Sequence, residues 1–434
     1  MRRRIVLALV VLAFYGVVWW FLSWAAERHG YFDLKVYWGA INHWAHGHGE
    51  LYDYILYHST YGFTYPPFAA LTMLPMAFVP WPVAIVISLV MSVAASVVVL
   101  YWLVDPVARR HGWIRWFTLA VALGVAAAFE PMRETVNFGQ VNMLLLAIVA
   151  GDLLLLVGPG RRYAGVGIGL ATAIKLTPGL FVLYLLLTRR YRAAAVAAAT
   201  ATAATLFAAA VIPDASREFW TDALWNTGRI GSQSFISNQS WNGFVARLDP
   251  TQPSRPLWLF LALATLVFWA WRVRRAGRVS GNPDDLFGLA VTGVAGCLVS
   301  PITWIHHLVW LLPALALLFA RGVDRAYDRA PDRGLPFARR WGVLAFTAGL
   351  YALLSSRLVW RFAFHFGGWG VLFSNSYVWA SVLLLVLVPE RSGPPVADLG
   401  QRDAPELLGA DAPVEREAAP LVEPSGGIVS LEHP

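Results

Sequence analysis

Residues 2–24, RRRIVLALVVLAFYGVVWWFLSW, decide the class of fold. Three arginines precede an apolar run from Ile5 to about Trp24, long enough to cross a bilayer core of roughly 30 Å. A cleaved signal peptide is the alternative, but its apolar region is usually only ~7–15 residues long, and no Ala-x-Ala site ends this run. The run therefore predicts a retained first membrane helix with a cytoplasmic N-terminus.

Apolar runs of this kind recur along most of the 434 residues. The chain is 58% hydrophobic and only 14% charged, whereas soluble domains carry about a quarter charged residues. The pattern predicts an all-α polytopic membrane protein with about twelve transmembrane helices. After the first, the predicted spans lie near 83–104, 116–130, 141–157, 163–175, 178–188, 193–212, 256–271, 284–300, 308–320, 341–355 and 371–388.

The basic residues indicate how the chain is oriented. Short arginine clusters lie between alternate spans. Most of the 34 lysines and arginines fall in segments on the same side of the membrane as the N-terminus. This bias predicts that both termini are cytoplasmic and that the other loops face the outer, periplasmic side. Clusters between spans do not form a basic groove, so nucleic-acid binding is not expected despite the net charge of +8. Residues 1–388 are predicted to form one membrane domain, and 389–434, rich in Pro, Glu, Ala and Gly, a disordered cytoplasmic tail.

The heptapeptide 31–37, YFDLKVY, follows the first span and places Asp33 at the outer membrane surface. Phe32 and Leu34 flank the carboxylate and desolvate it in part. Desolvation raises the proton affinity of a carboxylate and suits it to general-base catalysis. A role as a helix N-cap or in an ion pair with Lys35 explains the residue equally well.

Three further side chains on the same side are suited to a phosphate. His306 and His307 lie at the mouth of a span, where imidazole can hydrogen-bond or pair with phosphate, although interfacial packing is the alternative. Adjacent helical residues point about 100° apart, so one histidine of the two is expected to face a site. Lys175 ends a Gly/Ala-rich span and can reach a lipid phosphate, with simple snorkelling to bulk headgroups the slightly favoured alternative.

Four uncharged amides on the outer side offer donors and acceptors to sugar hydroxyls: Gln140, Asn142, Asn238 and Gln239. Such amides also cap turns, which explains each of them equally well.

Three other sequence features carry no site. The spacing of His43, His46 and His48 does not fit a known ligand motif, so no metal site is expected there. The glycines at 165, 167 and 169 are not a phosphate loop, because they lie within a span where small residues let helices approach closely. The single cysteine, Cys297, allows no intrachain disulfide or cysteine-based metal site.

Taken together, the outer segments carry a recognisable series of motifs. In chain order they are DLKVY at 33–37, FTYPPF at 63–68, NFGQVN at 137–142, KLTP at 175–178, NQSW at 238–241 and SPITWIHH at 300–307. Each motif is weak alone, but six in this order are specific. The series resembles the actinobacterial polyprenol-phosphate-mannose-dependent α-(1→2)-mannosyltransferases of glycosyltransferase family 87, over roughly residues 1–388.

The resemblance implies a GT-C fold and a metal-independent, inverting transfer that uses no cofactor. The donor it implies is mannose on polyprenyl phosphate. It places the family's essential aspartate on Asp33 and donor-phosphate binding on His306, His307 and Lys175. The side chains that we assign to sugar and acceptor binding are Tyr65, Gln140, Asn142, Asn238, Gln239 and Trp241.

The function expected from this resemblance is mannose transfer to a mannose 2-hydroxyl, on either a phosphatidylinositol mannoside or a lipomannan or lipoarabinomannan acceptor. The main alternative is a polytopic transporter or flippase of lipid-linked sugars. A transporter needs polar groups near the middle of its spans, and the predicted spans are nearly free of them, with Asp152 the clear exception. A non-catalytic lipid-binding or scaffold protein is a third reading.

Overall fold

The computed structural model describes residues 2–25, 29–226, 231–280, 284–327, 337–363 and 367–390. The chain divides into a compact unit, Met1–Pro395, and a second unit, Val396–Pro434, that lies outside the described residues. The predicted tail is therefore outside them as well, apart from residues 389 and 390. Within the described ranges the chain is helical, and its one β feature is an isolated antiparallel bridge between Ile55 and Gly62.

The first half of the described chain contains nine α-helices. They are α1 (Arg2–Ala25), α2 (Phe32–Ala45), α3 (Pro67–Met73), α4 (Trp81–Arg110), α5 (Arg115–Ala128), α6 (Glu130–Phe138), α7 (Asn142–Gly151), α8 (Val166–Ile174) and α9 (Leu180–Leu187). A π-helical segment, Asp152–Val157, continues α7. A 3-10 turn, Thr177–Gly179, leads into α9.

The second half contributes nine more within the described ranges. They are α10 (Tyr191–Val211), α11 (Pro213–Glu218), α12 (Trp241–Leu248), α13 (Arg255–Ser280), α14 (Asp285–Val299), α15 (Leu312–Ala326), α16 (Phe337–Ser355), α17 (Trp369–Ser374) and α18 (Ser376–Leu387). A 3-10 segment, Ile305–Leu311, leads directly into α15.

Several of these helices can cross a membrane, so the chain is a multi-pass membrane protein. By length and composition, five described helical stretches qualify, or six if the bent pair Glu130–Phe138 and Asn142–Val157 counts as one span. Five more apolar helices are only 10–17 residues long. The prediction of about twelve spans is therefore not confirmed. Several predicted spans correspond to short helices. The span 178–188, for example, corresponds to α9, which follows the 3-10 turn at Thr177–Gly179.

Two large apolar cores organise the described residues, and a third, small cluster joins Val107, Ala320 and Val323. The larger one surrounds α14, whose side chains are buried on nearly all sides and which packs against α13, α15 and α18. The smaller core joins α2 and residues 51–77 to Phe219. This smaller core holds α2, the helix that carries Asp33, against the rest of the fold.

The close approach expected at the glycines of 165–169 is confirmed. A Cβ at Gly169 would lie 2.5 Å from the Ala197 carbonyl oxygen of α10, and one at Gly165 would collide with the Ala193 carbonyl. Between them, Asp152 accepts hydrogen bonds from the N–H groups of Gly165 and Ile168, both at 2.8 Å. The Asp152 carboxylate therefore provides acceptors for backbone N–H groups at the start of α8 that have no partner within the helix.

We expect Gly169→Val to lower the thermal stability of the detergent-solubilised protein, because overpacking a tight contact costs typically 1–3 kcal/mol. The measurement is the unfolding temperature beside that of Gly349→Val, whose added atoms would meet nothing within 4 Å. Equal unfolding temperatures for the two variants would contradict the close α8–α10 contact.

Candidate active site

A strained turn places Asp33 at the start of α2. Gly30 and Tyr31 both adopt left-handed backbone conformations, with φ of 60° and 57°. The Tyr31 N–H donates to the Asn137 carbonyl near the end of α6, at 2.9 Å. A non-glycine residue in this conformation is uncommon and often lies at a functional site. The turn directs the first turn of α2 towards α6.

The carboxylate of Asp33 accepts a hydrogen bond from the side-chain amide of a residue just after the C-terminus of α6. Gln140 Nε2 donates to Asp33 Oδ2 at 2.6 Å. Gln140 follows Gly139, which ends α6 with a φ of 72°. A Cβ on Gly139 would lie 2.6 Å from the Cβ of Leu34. Glycine at this position therefore allows both the turn and the approach of α2.

Tyr65 connects this amide to a lysine. Its hydroxyl donates to Gln140 Oε1 at 3.0 Å and accepts from Tyr37 at 3.0 Å. Lys175 Nζ lies 3.4 Å from the same hydroxyl and 5.2 Å from the ring centroid. A continuous set of side-chain contacts thus runs from the Asp33 carboxylate to the Lys175 ammonium.

Lys175 also contacts the histidine pair. Its Nζ lies 3.0 Å from Asn142 Oδ1 and 2.9 Å from His307 Nε2. His307 Nδ1 accepts the Trp304 N–H at 3.1 Å, so a neutral ring carries its proton on Nε2. Two donors therefore meet, and an anionic oxygen beside them would accept from both.

His306 is oriented differently from its neighbour. Its ring packs on Phe138 with a centroid distance of 5.3 Å, and its carbonyl accepts from Thr135 Oγ1 at 2.8 Å and from Asn142 Nδ2 at 3.2 Å. Among the described residues, the buried Nε2 of His306 has no hydrogen-bond partner. His307 is thus the histidine whose ring contacts Lys175.

A cavity of about 60 Å³ lies beside Lys175 and His307. Its polar end is formed by these two residues and Asn142. Its other walls come mainly from α9, α14 and the loop after α14. They combine the apolar or small residues Phe181, Gly293, Gly296, Cys297, Ile302 and Trp310 with the hydroxyl side chains of Thr177, Thr292, Ser300 and Thr303. The cavity therefore joins the cationic group to the membrane-embedded helices.

Burial raises the pKa of the Asp33 carboxyl from its ordinary value to about 6, while the Gln140 hydrogen bond and the charges of Lys175 and His29 act to lower it. A pKa near the working pH suits a general base. His29 was not predicted as a site residue from the sequence. Its ring pairs with Glu134 at 2.9 Å and stacks on Phe138 at 4.2 Å, and only its position four residues before Asp33 could have indicated it.

The side chains of Asn238, Gln239 and Trp241 form their hydrogen bonds outside the Asp33–Lys175 network, although Asn238 Oδ1 accepts the N–H of Thr303, a residue that lines the cavity, at 2.9 Å. Asn238 Nδ2 donates to the Gln233 carbonyl at 3.0 Å, Gln239 Nε2 to the Ser374 carbonyl at 2.9 Å, and Trp241 Nε1 to a threonine hydroxyl at 2.8 Å. No hydrogen bond within the described ranges links them to Asp33, Lys175 or His307. Asn238 joins the chain before α12 to the loop after α14, because it also donates to the Pro301 carbonyl and accepts the Thr303 N–H, whereas Gln239 and Trp241 bond to α17 and α13. Their part in sugar binding stays a prediction, whereas Tyr65, Gln140 and Asn142 lie in the Asp33–Lys175 network.

The triad of histidines at 43, 46 and 48 forms a loose group, with ring centroids 6.3 and 6.4 Å apart. In the described part of the chain, no three His, Cys, Asp or Glu side chains are arranged to hold a metal ion.

The described site thus combines a desolvated carboxylate with a lysine–imidazole pair on a helical membrane fold. Residues 63–301 match the model of glycosyltransferase family 87. The chain belongs to this family and is a glycosyltransferase. No solved structure matches it at a significant level.

Curated relatives are mannosyltransferases by name. A polyprenol-phosphate-mannose-dependent α-(1-2)-phosphatidylinositol mannoside mannosyltransferase of Mycolicibacterium smegmatis is 33% identical over 304 residues, 66% of this chain and 69% of the relative. The Mycobacterium tuberculosis protein of the same name is 33% identical over 71% of this chain and 75% of its own. A phosphatidylinositol pentamannoside mannosyltransferase of M. tuberculosis is 32% identical over 81% and 79%.

We expect Gln140→Leu to raise the pKa of Asp33 above its value in the unmodified protein, because the variant loses the hydrogen bond that stabilises the carboxylate. The measurement is a pH titration of the protonated carboxyl band by infrared difference spectroscopy, with Asp33→Asn as the blank. An unchanged midpoint in Gln140→Leu would contradict the hydrogen bond.

Proposed function

We propose that this chain transfers mannose from polyprenyl-phosphate mannose to a mannose 2-hydroxyl, forming an α-1,2 linkage. The acceptor is a phosphatidylinositol mannoside or a lipomannan or lipoarabinomannan chain. The names of the relatives support the donor and the first acceptor class. The observation that carries the proposal is the contact series from Asp33 through Gln140 and Tyr65 to Lys175 and His307.

Asp33 is the general base of this reaction. Its carboxylate takes the proton of the acceptor 2-hydroxyl while that oxygen attacks the anomeric carbon of the donor mannose. The bond from this carbon to the phosphate oxygen breaks, and polyprenyl phosphate leaves with the electron pair. Attack opposite the leaving group inverts the configuration. No metal takes part, because the phosphate charge is met by side chains.

Lys175 and His307 stabilise the leaving phosphate. Their donors meet at 2.9 Å beside the cavity. Negative charge grows on the phosphate as the bond breaks, and preorganised donors in a desolvated site stabilise such charge strongly. The apolar wall of the cavity suits the isoprenoid carbons next to the phosphate.

The site faces the periplasmic, outer side of the membrane, and both termini face the cytoplasm. The arginine bias between the spans supports this orientation. A lipid-linked donor fits it, because such a donor reaches the site from within the bilayer and needs no nucleotide.

The transporter alternative loses its main support. Asp152, the charged residue expected near mid-membrane, accepts two backbone hydrogen bonds at the start of α8. This local structural role explains the carboxylate without a translocation pathway.

We expect Asp33→Asn to lower mannose transfer at least about 100-fold, since general bases contribute typically 10²–10⁴-fold. In the unmodified protein, transfer should fall about tenfold per pH unit below about 6, as Asp33 takes up a proton. The measurement is transfer of labelled mannose from polyprenyl-phosphate mannose in membranes. Asp53→Asn is the matched control, because that carboxylate is exposed on the same segment.

Full transfer by Asp33→Asn would exclude Asp33 as the base, and no transfer by the unmodified protein to either acceptor would exclude the function. Supplying phosphatidylinositol mannosides and lipomannan separately identifies the acceptor.

We expect Lys175→Met to lower the transfer rate by roughly 10–1,000-fold, because a charge-stabilising donor is lost. Lys35→Met is the control: it removes the same charge from an exposed position two residues from Asp33. Equal losses in both variants would show that overall charge, rather than contact with the phosphate, sets the rate.

A further inference from the structure

One face of α13 has no protein partner over most of its length. Leu263, Val267 and Trp271 are exposed, by 61%, 62% and 50%. Arg274, Arg275 and Arg278 continue the row and are exposed as well. Steps of three and four residues place all six side chains on one stripe of a helix. The stripe is apolar along the span and turns cationic at the end of α13.

The part of this stripe from Val267 to Arg278 lines an open groove of about 470 Å³, and every lining residue within the described part of the chain belongs to α13. Val267, Ala270 and Trp271 line its apolar part, and the three arginines line the rest. The Arg275 guanidinium lies over the Trp271 ring, 5.4 Å from its centroid. Apolar wall and guanidinium groups thus meet within one groove, in the order of the acyl chain and headgroup of a lipid.

The three guanidinium groups are available to a ligand. Within the described ranges, none of them forms an ion pair with a carboxylate. Arg272, one residue away, shows the contrast: it is buried and donates to the carbonyls of Leu385, Val386 and Val388. Arg272 fastens α13 to α18, whereas the three arginines of the groove form no hydrogen bond or ion pair in the described part of the chain.

The groove lies on the membrane face opposite Asp33. Helix α14 begins at Asp285, which pairs with Arg190, and ends at Val299, next to the loop that leads to His307. Its 15 residues span about 22 Å at ~1.5 Å each. The cationic end of α13 precedes the start of α14 by only a few residues, so it lies at the end of the bundle remote from the active site.

We propose that this groove binds an anionic phospholipid of the leaflet opposite the active site. The phosphate accepts from Arg274, Arg275 and Arg278, and an acyl chain lies along Trp271 and Val267. Basic pockets of this kind on membrane helices recognise anionic headgroups, and guanidinium groups bind phosphate bidentately. The site is separate from the transfer reaction, so it stands or falls independently of the proposed function.

The test is native mass spectrometry of the full chain, with dioleoyl phosphatidylglycerol and dioleoyl phosphatidylcholine as probes. We expect a clear preference for phosphatidylglycerol. The variant Arg274→Gln/Arg275→Gln/Arg278→Gln should bind it at least about tenfold more weakly. The control Arg161→Gln/Arg162→Gln/Arg192→Gln removes three exposed charges from the same face and should stay within about twofold of the unmodified protein.

Two further variants keep the test decisive if the triple variant folds poorly. Trp271→Ala should weaken phosphatidylglycerol binding without any change in charge. Arg274→Lys/Arg275→Lys/Arg278→Lys should bind with intermediate strength, because lysine retains the charge but not the planar donor pair. Equal losses in the groove and control variants would overturn the proposal, as would no lipid preference. A groove variant that changes the oligomeric mass but not lipid binding would mark a contact between copies of the chain and also overturn it.

Discussion

The hydrogen bond from Gln140 Nε2 to Asp33 Oδ2, at 2.6 Å, is the contact on which the rest of the site depends. A carboxylate buried at a membrane surface is costly unless a donor reaches it. The left-handed residues before α2 and the glycine that ends α6 both bring these two groups together. The left-handed backbone conformation of Tyr31 therefore helps to position the Asp33 side chain two residues later, at a cost in backbone energy.

The same contact joins the two ends of the proposed reaction. Gln140 donates to Asp33 and accepts from the Tyr65 hydroxyl, and that hydroxyl in turn contacts Lys175. Low dielectric strengthens each hydrogen bond in such a network and makes an unpaired member costly. One connected set of side chains would therefore couple proton uptake by Asp33 to negative charge on a phosphate at Lys175. Base and leaving-group stabiliser are held by the same scaffold.

Much of this arrangement could be predicted from the sequence. Apolar runs identified a helical membrane protein, and the glycines at 165 and 169 indicated the tight helix contact that the structure contains. The alternation of spans and loops in the sequence predicts that Asp33, Gln140, Asn142 and Lys175 lie on one side of the membrane. Span number could not be predicted, because apolarity alone does not separate a full crossing from a short helix buried in protein.

Contacts between distant residues also escaped the sequence. The pairing of His29 with Glu134 depends on how α6 packs against the turn before α2. Asn238 and Gln239 are predicted sugar ligands, but amides at loop ends also bond to backbone groups, and only the fold shows that their donors reach backbone carbonyls. Composition places a polar group on one side of a membrane, and packing decides what it touches.

The most direct test of the proposed transfer mechanism is a cryo-electron microscopy structure of this chain with polyprenyl phosphate and a mannosylated acceptor bound. We expect a phosphate oxygen within hydrogen-bond distance of both Lys175 Nζ and His307 Nε2, with an acceptor 2-hydroxyl on the Asp33 carboxylate. A phosphate bound away from Lys175 and His307, or an acceptor hydroxyl that does not reach Asp33, would contradict it.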